Sequence, residues 1–258
     1  MKNRKNFFVA IGVVLAVAFI FVSVMPKSEK NQKEMSKVLN TVMPTNVVYA
    51  ETLDSIQAEM NKLMSEIETE MKNNPKLAMQ GHPGEFIKNS ENYKNIINLG
   101  LKAVKPMYDI LYDSRDAGLY EYILAMGIQE ITGEKFVYNA DYGWKNSMEF
   151  RMAYEEKVNN VKFNVERIIT DEKLSDKEKI ENFREQGIFA VSSLIKEYNN
   201  NDSKISKSVI EQSVKDIKSK YEPQMLSERS VSDNSNIDIN ENKEVFDSIV
   251  KLNGKAYK

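Results

Sequence analysis

Hydrophobic and polar positions divide this chain into three regimes. Residues 7–25 carry no charge, residues 53–221 carry apolar side chains three and four positions apart, and residues 227–242 carry few large apolar side chains at all. The middle regime is the mark of amphipathic helices, because that spacing returns a side chain to the same face of a 3.6-residue turn. No stretch shows the alternation of a half-buried strand, so the expected fold class is all-α.

The first amphipathic segment holds Leu53, Ile56, Met60, Leu63, Met64, Ile67 and Met71, with Thr52 or Asp54 as its cap and Asn73-Asn74-Pro75 as its stop. Its apolar stripe suits a core-facing helix, and the same spacing allows a short parallel dimer through helix 53–71. A second long helix is expected over residues 147–169, carrying Phe150, Tyr154, Val158, Val161, Val165 and Ile168. A third is expected over 203–221, presenting Ile205, Val209, Val214, Ile217 and Tyr221 ahead of Pro223. Residues 133–143 read as a turn-rich connector.

Between these lies an internal repeat. At an offset of 87 residues, Glu91-Asn92-Tyr93-Lys94-Asn95-Ile96 falls over Glu178-Lys179-Ile180-Glu181-Asn182-Phe183, and Gly100-Leu101-Lys102-Ala103-Val104 over Gly187-Ile188-Phe189-Ala190-Val191. Met107 lies over Leu194 and Tyr108 over Ile195, so each copy reads as helix, glycine, helix. The glycine stands where a helix ends in a left-handed residue, and Ser175-Asp176-Lys177-Glu178 opens the second copy with a capping box.

Leu99-Gly100-Leu101-Lys102-Ala103-Val104-Lys105-Pro106-Met107 resembles the signature of HEAT-like helical repeats, and residues 118–128 resemble the opening helix of a following unit. The resemblance covers about residues 91–133 and 176–199; the second copy keeps the glycine, alanine and valine but has Ser193 in place of the proline. It implies antiparallel helix pairs in a bundle or short solenoid, an architecture that generally serves as a binding scaffold. The offset is twice the HEAT period of about 40 to 47 residues, which leaves room for an irregular unit between the copies.

The uncharged run of about 19 residues approaches the roughly 20 that span a bilayer and exceeds the core of an ordinary signal peptide. Lys2, Arg4 and Lys5 before it favour an inside N-terminus, although Lys27, Lys30 and Lys33 follow it. The expected organisation is a signal or anchor transmembrane helix over 1–25, a polar tether over 26–50, a helical domain over 51–222 and a mostly disordered tail over 223–258 with one short helix near 245–252. The domain is then extracytoplasmic on a single-pass membrane protein. Val48-Tyr49-Ala50 before Glu51 is a small-x-small processing site, and cleavage there would release the domain as a secreted factor.

Composition narrows the chemistry. With no cysteine there are no disulfides or thiolate chemistry, and a single histidine, His82 in Gly-His-Pro-Gly, reads as part of a turn. No metal or cofactor is expected, and neither a P-loop nor a dinucleotide fingerprint is present. With 36 basic and 38 acidic side chains the near-balanced charge gives no footprint for nucleic acid. Lys, Asn, Ile and Glu are abundant, as in AT-rich bacterial genomes. Residues 233–244 lack the central glycine of a calcium loop. Among the carboxylates, Glu121 and Glu130 stand out on a mostly apolar helix as candidates for acid–base chemistry.

Seven of the twelve tyrosines fall between Tyr108 and Tyr154, together with the single tryptophan. Most are expected in the core; Tyr112, Tyr138, Tyr142 and Trp144 are the candidates to line a groove for a peptide or cell-wall glycan. The leading expectation is a non-enzymatic, membrane-tethered module that binds a protein or peptide. Its alternative is a cell-envelope hydrolase that acts on peptidoglycan or another glycan through two carboxylates.

Overall fold

The computed structural model describes the backbone of residues 29–46 and, in full, residues 47–76, 83–114, 116–139, 143–221, 239–240 and 242–252. Two compact units divide the chain, residues 1–47 and 48–258. No helix among the described residues is long and apolar enough to cross a membrane. The apolar run 7–25 lies outside them, as do His82 and the whole of the polar segment 223–238.

The described residues hold ten α-helices and no strand: α1 (Glu29–Asn73), α2 (Pro83–Ile87), α3 (Glu91–Asn98), α4 (Val104–Asp113), α5 (Leu119–Thr132), α6 (Ser147–Thr170), α7 (Asp176–Gln186), α8 (Ala190–Tyr198), α9 (Lys207–Lys218) and α10 (Lys243–Ile249). A 3-10 turn, Gly100–Ala103, joins α3 to α4.

α1 corrects the cap expected at Thr52 or Asp54. Both residues lie inside the helix, and the Thr52 hydroxyl donates to the Val48 carbonyl one turn earlier at 2.6 Å. Residues 29–50, expected as tether, have helical backbone. The helix ends at Asn73, ahead of Pro75, as expected. Its stripe Ile56, Met60, Leu63 and Ile67 is buried in the core of the same chain, so the face that suited a second copy is covered internally. Polar ties fix its position: Asn92 and Asn95 of α3 donate to Glu66 and Glu59 at 2.6 and 2.9 Å.

The repeat is present in the backbone as well as in the residues. Gly100 and Gly187 have φ of 65° and 69°, the positive values that their place between two helices requires. Around them Leu101, Ala103, Val104 and Met107 are buried in the first copy, and Ile188, Ala190, Val191 and Leu194 in the second. Each such aliphatic side chain contributes roughly 1.5–3 kcal/mol when fully buried, less for alanine.

The duplication reaches further than the residue types suggest. With the offset shortened by one residue to 86, the buried Ile123, Leu124, Gly127, Ile128, Ile131 and Thr132 of α5 fall on Val209, Ile210, Ser213, Val214, Ile217 and Lys218, which are the buried residues of α9. Packing follows the same rule: α5 lies on α3 and α4, and α9 lies on α7 and α8. The repeating unit is therefore three helices, α3–α4–α5 and α7–α8–α9, with α6 between the copies. α9 is shorter than the expected 203–221, because Ser206 precedes its first turn and Ile205 packs from the preceding loop. α10 packs on α8, on the 3-10 turn and on α4, so the C-terminal helix returns to both copies.

Candidate functional site

Most of the described aromatic side chains between residues 108 and 154 join one row of rings through the domain. Tyr108 of α4 stacks on Tyr154 of α6 at 4.5 Å, and Tyr154 meets Phe136 at 5.5 Å and Phe189, edge-on, at 5.4 Å. Phe150 continues the row to Trp144 at 5.1 Å, and Trp144 to Tyr122 at 4.6 Å. Phe136, Phe150, Tyr154 and Phe189 are buried, as aromatics at helical spacing generally are.

The four candidate groove residues take different places along this row. Trp144 is half-buried at one end and its indole N–H donates to Gln129 at 3.0 Å. Tyr112 is half-buried at the other, 6.3 Å from Tyr108, with the Arg151 guanidinium 5.7 Å from its ring centre. Arg151 also donates to the carbonyls of Leu111 and Tyr112 in the last turn of α4, where carbonyls run out of helical partners. Tyr138 packs on the core rim and its backbone N–H closes the connector onto Gly143 at 2.8 Å. Tyr142 lies outside the described residues. The structure thus joins Tyr112 and Trp144 through intervening rings, without contact between them.

Both singled-out carboxylates are engaged in structural bonds. Glu121 accepts from the Ser114 hydroxyl at 2.8 Å and from the Gly118 N–H at 3.1 Å, which holds the first turn of α5. Glu130 accepts from the Tyr93 hydroxyl at 2.9 Å. Other tyrosines pair likewise: Tyr108 donates to Glu155 at 2.7 Å, and Tyr49 of α1 donates at 2.7 Å to Asp109, which also pairs with Lys105. Burial first, then the carboxylate each one faces, pushes the hydroxyls of Tyr49, Tyr93 and Tyr108 well above the usual phenol range. Burial does the same to Tyr154 and Tyr221. These phenols stay protonated and donate. No group of three or more His, Asp or Glu among the described residues is placed to hold a metal ion.

The most built recognition geometry is the seat of α10. Phe246 and Ile249 are buried in it, and Ile239 just ahead of the helix is nearly so. Lys218 of α9 donates to the Ile239 carbonyl at 3.3 Å with its ammonium 5.1 Å from the Phe246 ring centre. Tyr154 donates to the Ile249 carbonyl, Ser192 of α8 to Asp247 at 2.6 Å, and Asn199 to Asn240 at 3.0 Å. Residue spacing within α6, α8 or α9 carries no sign of these partners. The available signals were a helical pattern near 245–252 after a polar stretch, and a lysine set on the apolar face of α9 beside Val214 and Ile217.

No family model, no curated protein and no solved structure matches this chain.

Proposed function

We propose that this chain is a membrane-tethered, extracytoplasmic scaffold of HEAT-like helix pairs that binds a protein or peptide partner. The observation that carries the reading is the duplicated three-helix unit, whose copies both pack on α6, α4 and α5 from the first and α7 and α8 from the second; repetition of a helical unit is general to helical-repeat binding scaffolds. The uncharged run 7–25 behind a basic N-terminus supports the tether. The engagement of Glu121 and Glu130 in capping and tyrosine bonds gives no support to the hydrolase alternative.

Intact mass on membrane and medium fractions, with protease added to whole cells, tests the reading. Full-length chain confined to the membrane, with its domain digested from outside, is the expected result. A species that begins at Glu51 in the medium, or a domain protected until the cells are lysed, overturns it.

A further inference from the structure

The seat of α10 carries an inference that rests on the reading of the chain as a binding module. We infer that α10 is an intramolecular ligand. The cleft between the two three-helix copies is the module's peptide-binding site, and its partner is an amphipathic helical segment with an aromatic residue, an acidic residue beside it and a branched aliphatic three positions on.

Three features set α10 apart from the helices that build the fold. At seven residues it is too short to hold helical form in water by itself, and no side chain caps its first turn. Its cleft supplies the order. It buries Phe246 and Ile249, against six buried residues in α9, so its departure leaves the α4–α5, α7–α9 and α8–α9 contacts in place. The walls come from both copies: α4 and the 3-10 turn from the first, α8 from the second.

The polar contacts are those of a reader of helical peptides. Lys218 and Tyr154 donate to main-chain carbonyls at Ile239 and Ile249, on either side of the segment, and such contacts accept any residue type. Sequence preference comes from the buried places of Phe246 and Ile249 and from the Ser192 hydroxyl, which donates to Asp247. This is helix-in-groove recognition with i and i+3 anchors. A tethered segment competes at high effective concentration, so α10 keeps the cleft closed to weak partners.

The test uses the full chain and a fluorescent peptide of residues 239–252. The double variant Phe246→Ala with Ile249→Ala vacates the cleft and binds the peptide saturably by anisotropy, at least about tenfold more tightly than the native chain does. Adding Tyr154→Phe weakens that binding by about two- to tenfold, the worth of one hydrogen bond. A folded double variant that ignores the peptide overturns the inference, and so does one that fails to fold, since α10 is then part of the core. Hydrogen exchange on the native chain decides independently. α10 amides exchanging at least about tenfold faster than those of α8 support separate opening, and exchange in step with α8 overturns it. A chain found in the medium would end the tether while leaving these results untouched.

Discussion

The two three-helix copies agree in their aliphatic positions and their glycines, and differ in what covers them. Lys105 and Ser192 hold equivalent places. Lys105 pairs with Asp109, the acceptor of Tyr49 from α1, whereas Ser192 donates to Asp247 of α10. The N-terminal helix is thus tied to the first copy where the C-terminal helix is tied to the second. Tyr93 and Tyr108 of the first copy correspond to Ile180 and Ile195 of the second, so the first is locked by phenol–carboxylate bonds and the second by apolar packing. Aliphatic faces and backbone turns set the shared fold, and polar substitutions distinguish the partners of each copy.

The strongest way to break this equivalence is at the glycines. Gly187 has φ 69° and ψ −157°, a region that belongs almost wholly to glycine, and a Cβ there would lie 1.7 Å from the Glu134 carboxylate, which pairs with Lys157 at 2.9 Å. Gly187→Ala is expected to cost about 2–4 kcal/mol in urea unfolding, because it adds backbone strain to displacement of a half-buried ion pair. Gly100, with φ 65°, is expected to cost about 1–2 kcal/mol as alanine from backbone strain. Equal losses at the two sites would show that the Glu134 contact carries no weight.

Next in size is the phenol lock of the first copy. Tyr108→Phe removes a bond to Glu155 at 2.7 Å and is expected to cost about 1–2 kcal/mol, while Ile195→Val at the equivalent place costs about 0.5–1.5 kcal/mol through lost packing. The two differ in pH response. A tyrosine whose hydroxyl is harder to ionise in the folded chain stabilises fully below the ordinary phenol value of about 10. That stability falls as pH rises from there toward the raised folded value, since only the unfolded chain releases the proton. The urea midpoint should therefore fall between about pH 9 and about pH 11, less steeply in Tyr108→Phe and unchanged in slope in Ile195→Val. A midpoint flat over that interval would mean the phenols are equally free in both states.

How far the sequence discloses this arrangement depends on the reach of each interaction. Periodic aliphatic residues such as Ile56, Met60, Leu63 and Ile67 mark their own burial, and the glycines at 100 and 187 mark their own turns, because both effects act within a few residues. The third helix of the repeat was hidden, since Gly127 and Ser213, or Thr132 and Lys218, share burial without sharing residue type. At the first pair, a Cβ on Gly127 would meet Met107 Cε at 2.5 Å, while the Ser213 hydroxyl turns back to the Val209 carbonyl of its own helix at 2.7 Å. The tyrosine partners were equally invisible, because Tyr49 and Asp109, or Tyr154 and Ile249, are brought together only by the folded topology. Of the four candidates to line a groove, Tyr112, Tyr138 and Trp144 are partly buried against the core, and their individual neighbours have no sign in the sequence.

The smallest expected difference between the copies lies at their first turns. Ser175 accepts from the Glu178 N–H at 3.4 Å, and its own N–H is held in return by the Glu178 carboxylate at 2.8 Å. Ser90 accepts from the Tyr93 N–H at 3.3 Å, but the residue at the reciprocal place is Tyr93 itself, which has no carboxylate to reach back. Removing either serine hydroxyl takes one acceptor from an otherwise orphan N–H, so Ser175→Ala and Ser90→Ala are each expected to cost about 1 kcal/mol. The copies separate in acid. The bonds from Ser175 hold the Glu178 carboxyl below the usual range, and a carboxylate depressed in this way lends stability above its unfolded value, which is lost as pH falls through the folded one. The cost of Ser175→Ala, measured by urea unfolding, should therefore shrink between about pH 6 and about pH 3 while that of Ser90→Ala holds steady. Equal pH dependence at the two serines would leave the capping box without a role of its own.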